Sequence, residues 1–78
     1  EQRVELTKNE FRILQILLEN AGKIVSRDTI MERLWENDSF VDDNTLTVNV
    51  TRLRKKLESI GMTDVIRTKK GIGYLVEL

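Results

Sequence analysis

The feature that most restricts the fold is an apolar series in the second half of the chain. Its members recur every three or four residues, as on one face of an α-helix: Leu46, Val50, Leu53, Leu57 and Ile60. The pattern predicts a helix from Asn44 to Ser59, and Gly61 can end it in a left-handed conformation. Other elements must cover this face, and a chain of 78 residues can supply only one small core.

The N-terminal quarter predicts a short strand followed by a first helix. Residues 3–6 alternate polar and apolar side chains, which is typical of a strand. Thr7 and Glu10 have the spacing of a capping box, so the helix begins there, and Gly22 can end it. Its predicted inner stripe is Phe11, Leu14, Leu17, Leu18 and Ala21. Ile13 and Ile16 fall beside this stripe and need cover from another element or a partner.

A second helix is predicted from Arg27 to Glu36, with Ser26 as its cap. Its predicted inner face is Ile30, Met31, Leu34 and Trp35. Residues 37–43 have no period and are rich in acidic and small polar side chains, which favours a loop with Asp43 as the cap of the next helix.

The C-terminal part predicts a β-hairpin. Residues 64–68 and 74–78 are enriched in branched and aromatic side chains. Between them lies Lys69-Lys70-Gly71-Ile72-Gly73, where glycine can supply the positive φ of a turn. The order of strand, three helices and hairpin indicates an α+β fold in a single domain over residues 1–78.

The composition excludes several kinds of chemistry. The sequence has no Cys and no His, so thiolate and imidazole catalysis, disulfides and the usual zinc ligands are missing. The Asp42-Asp43 pair is typical of a helix cap rather than of a catalytic dyad. We therefore expect no enzyme activity, no metal and no cofactor. The longest apolar run, Ile16-Leu17-Leu18, is far short of the roughly 20 residues that span a bilayer, so we expect a cytoplasmic protein without a membrane partner.

The charges are unevenly distributed along the chain. Lys and Arg number 13, as do Asp and Glu, which gives a net charge of zero. Residues 1–43 nevertheless carry six basic and ten acidic side chains, whereas residues 44–75 carry seven basic and two acidic ones. The local potential steers association, so one face can meet phosphate while the other stays acidic. An accidental segregation of charge in a short chain is the alternative.

The polar side of the third predicted helix carries the strongest functional signal. It collects bases, hydroxyls and amides, with no acid before Glu58: Asn44, Thr51, Arg52 and Lys55, flanked by Thr47, Asn49, Arg54 and Lys56. A solvated face would mix charges of both signs through pairs four residues apart. Val48 also lies there, and it could either pack under the acidic loop or touch a thymine methyl group.

These side chains suit two kinds of contact with duplex DNA. Arg52 can bind a guanine through two hydrogen bonds, while Thr47 and Thr51 suit mixed contacts with base edges. Phosphate contacts, which set position and not sequence, suit a second group: Asn44, Thr45, Asn49, Arg54 and Lys55. The hairpin adds a second basic site in Arg67, Lys69 and Lys70, and the Thr68 hydroxyl could donate to a phosphate. Plain solvation is the alternative for both groups.

Several segments together resemble a known family along almost the whole chain. They are Leu6-Thr7 with Glu10-Phe11, Val25-Ser26-Arg27-Asp28 with Leu34-Trp35, Arg52-Leu53-Arg54-Lys55-Lys56-Leu57, and Thr68-Lys69-Lys70-Gly71-Ile72-Gly73-Tyr74. The chain is similar to the OmpR/PhoB winged-helix effector domain of two-component response regulators. The stretch from Ser26 to Leu57 is similar to the subgroup that answers antimicrobial peptides at the cell envelope.

The resemblance implies a winged helix-turn-helix with three helices, a C-terminal β-hairpin wing and a short N-terminal strand. The third helix would enter the major groove, where Thr47, Val48, Thr51 and Arg52 would read bases. The segment from Thr68 to Gly71 would form the wing. RNA polymerase would contact the acidic loop through Glu36, Asp38, Asp42 and Asp43.

The same resemblance implies partners for a longer protein. Homodimers would bind a direct-repeat site after a sensor histidine kinase phosphorylates a receiver domain, which these 78 residues lack, so we expect a monomeric fragment. The rival class is a winged-helix module that binds an acidic protein surface. An enzyme would need a site built from carboxylates alone.

Overall fold

The computed structural model describes residues 3–77, which form three helices around a small antiparallel sheet. The elements are α1 (Lys8–Glu19), β1 (Val25–Ser26), α2 (Arg27–Glu36), α3 (Asp43–Ser59), β2 (Ile66–Lys69) and β3 (Gly73–Val76). β3 lies between β1 and β2. The α+β class and the C-terminal hairpin are confirmed, while Leu78, the predicted end of the last strand, lies outside the described residues.

The predicted N-terminal strand is wrong. Residues 3–7 have no regular secondary structure, and the third strand comes from Val25–Ser26, which pairs with Tyr74 and Gly73. Both edges of β3 are therefore occupied, one by β1 and one by β2. The alternating segment at residues 3–6 has no free edge of β3 to join.

The start of α1 follows from its capping box. The amide of Thr7 donates to Glu10 Oε1 at 2.9 Å, and the amide of Glu10 donates to Thr7 Oγ1 at 3.2 Å. These two bonds satisfy amide groups that the first turn of a helix leaves free. The helix ends at Glu19, and Gly22 follows with a φ of 84°.

The buried face of α1 differs from the predicted one. Ile13 and Ile16 are buried, together with Leu17, because this side packs against α2, α3 and β3. Phe11 and Leu18, which were predicted to be inside, are 54% and 42% exposed. Leu17 belongs to both stripes, so the helical period alone did not decide which side faces the core.

The other two helices agree closely with the sequence. α2 has the predicted bounds and cap, although Trp35 is 48% exposed instead of buried. The predicted α3 series is buried at Leu46, Val50, Leu53 and Leu57. The predicted cap of α3 is one residue off: Asp42 Oδ1 accepts the amide of Thr45 at 2.7 Å, and Asp43 is the first helical residue.

A buried ion pair joins α1 to α3. Glu10 is 1% exposed, and its Oε1 lies 2.6 Å from Lys56 Nζ. Burial alone would raise the pKa of the Glu10 carboxyl, but the Lys56 ammonium and the Thr7 amide outweigh it and lower the pKa below its ordinary value. The carboxylate therefore stays charged inside the fold and holds α3 in place. No helix between residues 3 and 77 has both the length and the apolar content to cross a bilayer.

Candidate nucleic-acid interface

The four predicted base-reading side chains lie together on the outer side of α3. Thr47, Val48, Thr51 and Arg52 are all exposed, opposite the buried face of the helix. Val48 is 45% exposed and is not part of the core cluster. Val48 is therefore available for a contact outside the domain.

The predicted phosphate ligands divide into two groups. Asn44 and Thr45 are exposed in the first turn of α3, and Lys55 is exposed farther along the helix. Asn49 is half-buried, and its Nδ2 donates to the carbonyl of Thr45 at 2.8 Å. The first group is free to meet a phosphate, whereas the Asn49 amide already makes a bond within the helix.

Arg54 connects α3 to the wing, which is the hairpin formed by β2 and β3. Its Nη2 donates to Thr68 Oγ1 at 2.8 Å, and its buried Nε has no hydrogen-bond partner in the described structure. An open hollow of about 480 Å³ lies beside this contact. It is lined by Arg54, Asp64, Ile66, Arg67, Thr68 and Lys69. Arg54, Arg67 and Lys69 outnumber Asp64 and the Glu77 carboxylate that pairs with Arg67, so the hollow has a net positive charge that suits a phosphate.

The tip of the wing is exposed and basic. Lys69, Lys70 and Gly71 are exposed, and Gly71 has the positive φ of 77° that a turn glycine supplies. The amide of Ile72 donates to the carbonyl of Lys69 at 2.9 Å and closes the turn. Arg67 instead forms an ion pair away from the tip of the wing, where its Nε lies 2.8 Å from Glu77 Oε1.

Arg27 is the interface residue that sequence reasoning missed. Its guanidinium donates to Asp43 Oδ1 at 3.1 Å, to the Asp43 carbonyl at 2.7 Å, to Thr47 Oγ1 at 2.8 Å and to the Tyr74 hydroxyl at 2.6 Å. It therefore joins α2, the first turn of α3 and β3. The signal for this role is its place at the start of α2, since a cation at a helix N-terminus opposes the helix dipole and needs a compensating partner.

The acidic residues predicted to face RNA polymerase do not all lie in the loop. Glu36 ends α2, and Asp38 occupies the following turn with a φ of 62°. Asp42 caps α3, and Asp43 pairs with Arg27, so both members of the acidic pair have structural partners. Beside them, Trp35 and Phe40 are 48% and 78% exposed.

Comparisons with known proteins agree with this architecture. A family model described as "Transcriptional regulatory protein, C terminal" matches residues 1–76. The response regulator protein GraR of Staphylococcus aureus strain MRSA252 is 56% identical over 75 residues, which cover 96% of this chain and 34% of GraR. The chain thus spans about a third of the length of the curated relatives it matches.

Solved structures show the same fold. The C-terminal domain of the nisin resistance regulator NsrR, a lantibiotic response regulator, is 50% identical with a TM-score of 0.91, covering all of this chain and 79% of that one. The DNA-binding domain of Klebsiella pneumoniae RstA, solved in complex with the RstA box, is 32% identical with a TM-score of 0.77, covering 95% and 74%. The chain belongs to the family of transcriptional regulatory protein C-terminal domains, the winged-helix domains of the OmpR/PhoB type.

Proposed function

We propose that this chain is the sequence-specific DNA-binding output domain of a two-component response regulator that controls transcription. The main support is the hydrogen bond of 2.8 Å from Arg54 Nη2 to Thr68 Oγ1, which joins the exposed side of α3 to the basic wing. The RstA domain, a member of the same fold, was solved on its DNA site.

Each part of this surface has a separate role in the proposal. Arg52 reads a guanine in the major groove, beside Thr47, Val48 and Thr51. Phosphates on either side are bound by the first turn of α3 and by Lys55, while Lys69 and Lys70 hold the backbone at the wing. Asn49 and Arg54 support the phosphate contacts from half-buried positions.

The remaining partners belong to the longer protein that the relatives' lengths suggest. We propose that a receiver domain, phosphorylated by a sensor histidine kinase, pairs two copies of this domain in the cytoplasm. Two copies on a direct repeat would place half-sites about 10 to 11 base pairs apart. RNA polymerase would meet Glu36, Asp38, Asp42 and Asp43, where the exposed Trp35 and Phe40 add apolar area. The likeness to a nisin resistance regulator supports a peptide antibiotic as the signal.

Salt dependence of duplex binding tests the proposed function. The preferred duplex is first selected from a random library, and its affinity is then measured by fluorescence anisotropy at several salt concentrations. The logarithm of the binding constant should fall linearly with the logarithm of salt, with a slope of about −0.9 for each phosphate neutralised. A slope near zero, or no affinity in dilute salt, would favour a protein-binding module instead.

Two variants of α3 separate base reading from phosphate binding. Arg52→Ala should weaken binding to the preferred duplex by about 1–3 kcal/mol and relax the preference at one base pair. Lys55→Ala should weaken all sequences alike and reduce the salt slope by about one. Both side chains are exposed, so neither change should affect folding. The same loss on every sequence for both variants would contradict the assignment of Arg52.

A further inference from the structure

The hydroxyl of Thr47 is already occupied inside the protein. Its Oγ1 donates to the carbonyl of Asp43 at 3.1 Å and accepts from Arg27 Nη2 at 2.8 Å. A hydroxyl has one proton to donate, so none remains for a base. The side chain is exposed, and its methyl group is the part left without a partner.

Arg27 makes this arrangement hard to undo. The same Nη2 that binds Thr47 also donates to the carbonyl of Asp43 at 2.7 Å, and the other nitrogens hold Asp43 Oδ1 and the Tyr74 hydroxyl. Releasing the Thr47 hydroxyl toward DNA would leave a charged donor with one partner fewer. Charge-assisted bonds of this kind are about twice as strong as neutral ones.

The proton of the Thr51 hydroxyl, one helical turn farther on, is likewise engaged. Thr51 Oγ1 donates to the carbonyl of Thr47 at 2.9 Å, and this side chain is also exposed. Thr47, Val48 and Thr51 lie on one side of α3 because residues four apart meet on a helix. With both hydroxyl protons engaged, the methyl groups of these three exposed residues are the groups best suited to an apolar contact beside Arg52.

The major groove contains one apolar feature that such a strip can recognise. Thymine carries a C5 methyl group there beside its O4 acceptor, whereas guanine, adenine and cytosine have no methyl group. Threonine hydroxyls with free protons could bond to the acceptors of a purine. A threonine hydroxyl whose proton is engaged cannot donate to the N7 or O6 of a purine, and it keeps only the capacity to accept from an amino group.

We propose that Thr47, Val48 and Thr51 select thymines by contact with their C5 methyl groups, next to the base pair that Arg52 reads. Arg27 is a positioning residue in this scheme, because it keeps the Thr47 hydroxyl turned into the protein. The inference rests on the proposed function and specifies which bases the same surface accepts.

Replacement of single thymines by deoxyuridine tests the proposal. Uracil keeps every hydrogen-bonding group of thymine and lacks only the methyl group. In the selected duplex, each contacted thymine should lose about four-fold in affinity when replaced, as expected for one buried methyl group. Equal affinity for the two bases at every position, with sequence preference retained, would overturn the methyl-reading surface and leave the proposed function intact. Absence of any duplex binding would overturn both.

Three substitutions test whether Thr47 is responsible for the discrimination between thymine and uracil. Thr47→Ser keeps the hydroxyl and removes the methyl group, so discrimination between thymine and uracil should vanish at one position. Thr47→Val keeps the methyl group and removes the hydroxyl, so this variant should discriminate between thymine and uracil at least as strongly as the wild type. Ser59→Ala is the matched control, because Ser59 Oγ also bonds to a backbone carbonyl of α3 but lies at its far end. Persistence of discrimination in Thr47→Ser, or its loss in Thr47→Val, would overturn the proposal.

Discussion

Gly73→Ala should destabilise the domain by at least about 3 kcal/mol, at or above the upper end of the range for an overfilled site. A Cβ at this position would overlap the carbonyl oxygen of Val25 and would lie 2.8 Å from Ser26 Cα. Both atoms belong to the backbone of β1, which pairs with β3 here, so no side chain can move aside. Thermal unfolding should show a midpoint lowered by at least about 12 °C in a domain of this size.

Gly71→Ala is the control for this prediction. Gly71 has a φ of 77°, but no atom lies within 4 Å of the place where its Cβ would stand. The expected cost is therefore only the strain of a left-handed alanine, about 1 kcal/mol. An equal or larger loss for Gly71→Ala would show that turn conformation, and not the contact with β1, makes glycine necessary in this segment.

Lys56→Met should lower the free energy of unfolding by about 2–3 kcal/mol at neutral pH. Methionine removes the ammonium that lies 2.6 Å from the buried Glu10 carboxylate. Loss of one partner of a fully buried pair costs about 3–5 kcal/mol. The Lys56 side chain is 32% exposed, so water compensates part of the loss. Urea unfolding followed by circular dichroism measures the difference.

The Glu10 carboxylate makes the loss in Lys56→Met dependent on pH. Its pKa is lowered in the folded protein, so its contribution is present above the ordinary carboxyl pKa of about 4.3 and is lost as the pH falls through the folded value. The difference between wild type and Lys56→Met should therefore narrow in acid. Addition of Glu10→Gln should restore most of the stability, because glutamine still caps α1 and carries no charge. A loss of stability in Lys56→Met that does not change with pH, or no recovery of stability on addition of Glu10→Gln, would contradict this role of the ion pair.

The sequence predicts the elements that carry their own local signals. Ser26 and the Thr7-Glu10 box mark helix starts that the structure confirms, and the Leu46 series marks the buried side of α3. The exposed position of Arg52 follows from the same series, because it lies opposite the core. Such signals depend only on residues within one or two helical turns.

Features that depend on distant contacts could not be predicted in this way. β1 has two residues and no period, and it exists because Gly73 lets the two strands approach closely. The predicted inner face of α1 was wrong because Leu17 belongs to both apolar stripes of the helix. Only packing against α2 and α3 determines that the stripe with Ile13 and Ile16 is buried. The role of Arg27 required knowing that α3 and β3 converge on the start of α2.

In the proposed complex, the outer side of α3 and the wing face the duplex together. Titration of the isotopically labelled domain with its selected duplex, followed by amide chemical shifts in NMR spectra, tests this claim directly. The largest shift changes should occur between Thr47 and Lys55 and between Thr68 and Gly71, and the outer face of α1 around Phe11 and Leu18 should be unaffected. Changes concentrated on α1 or in residues 37–42, with α3 unmoved, would contradict it.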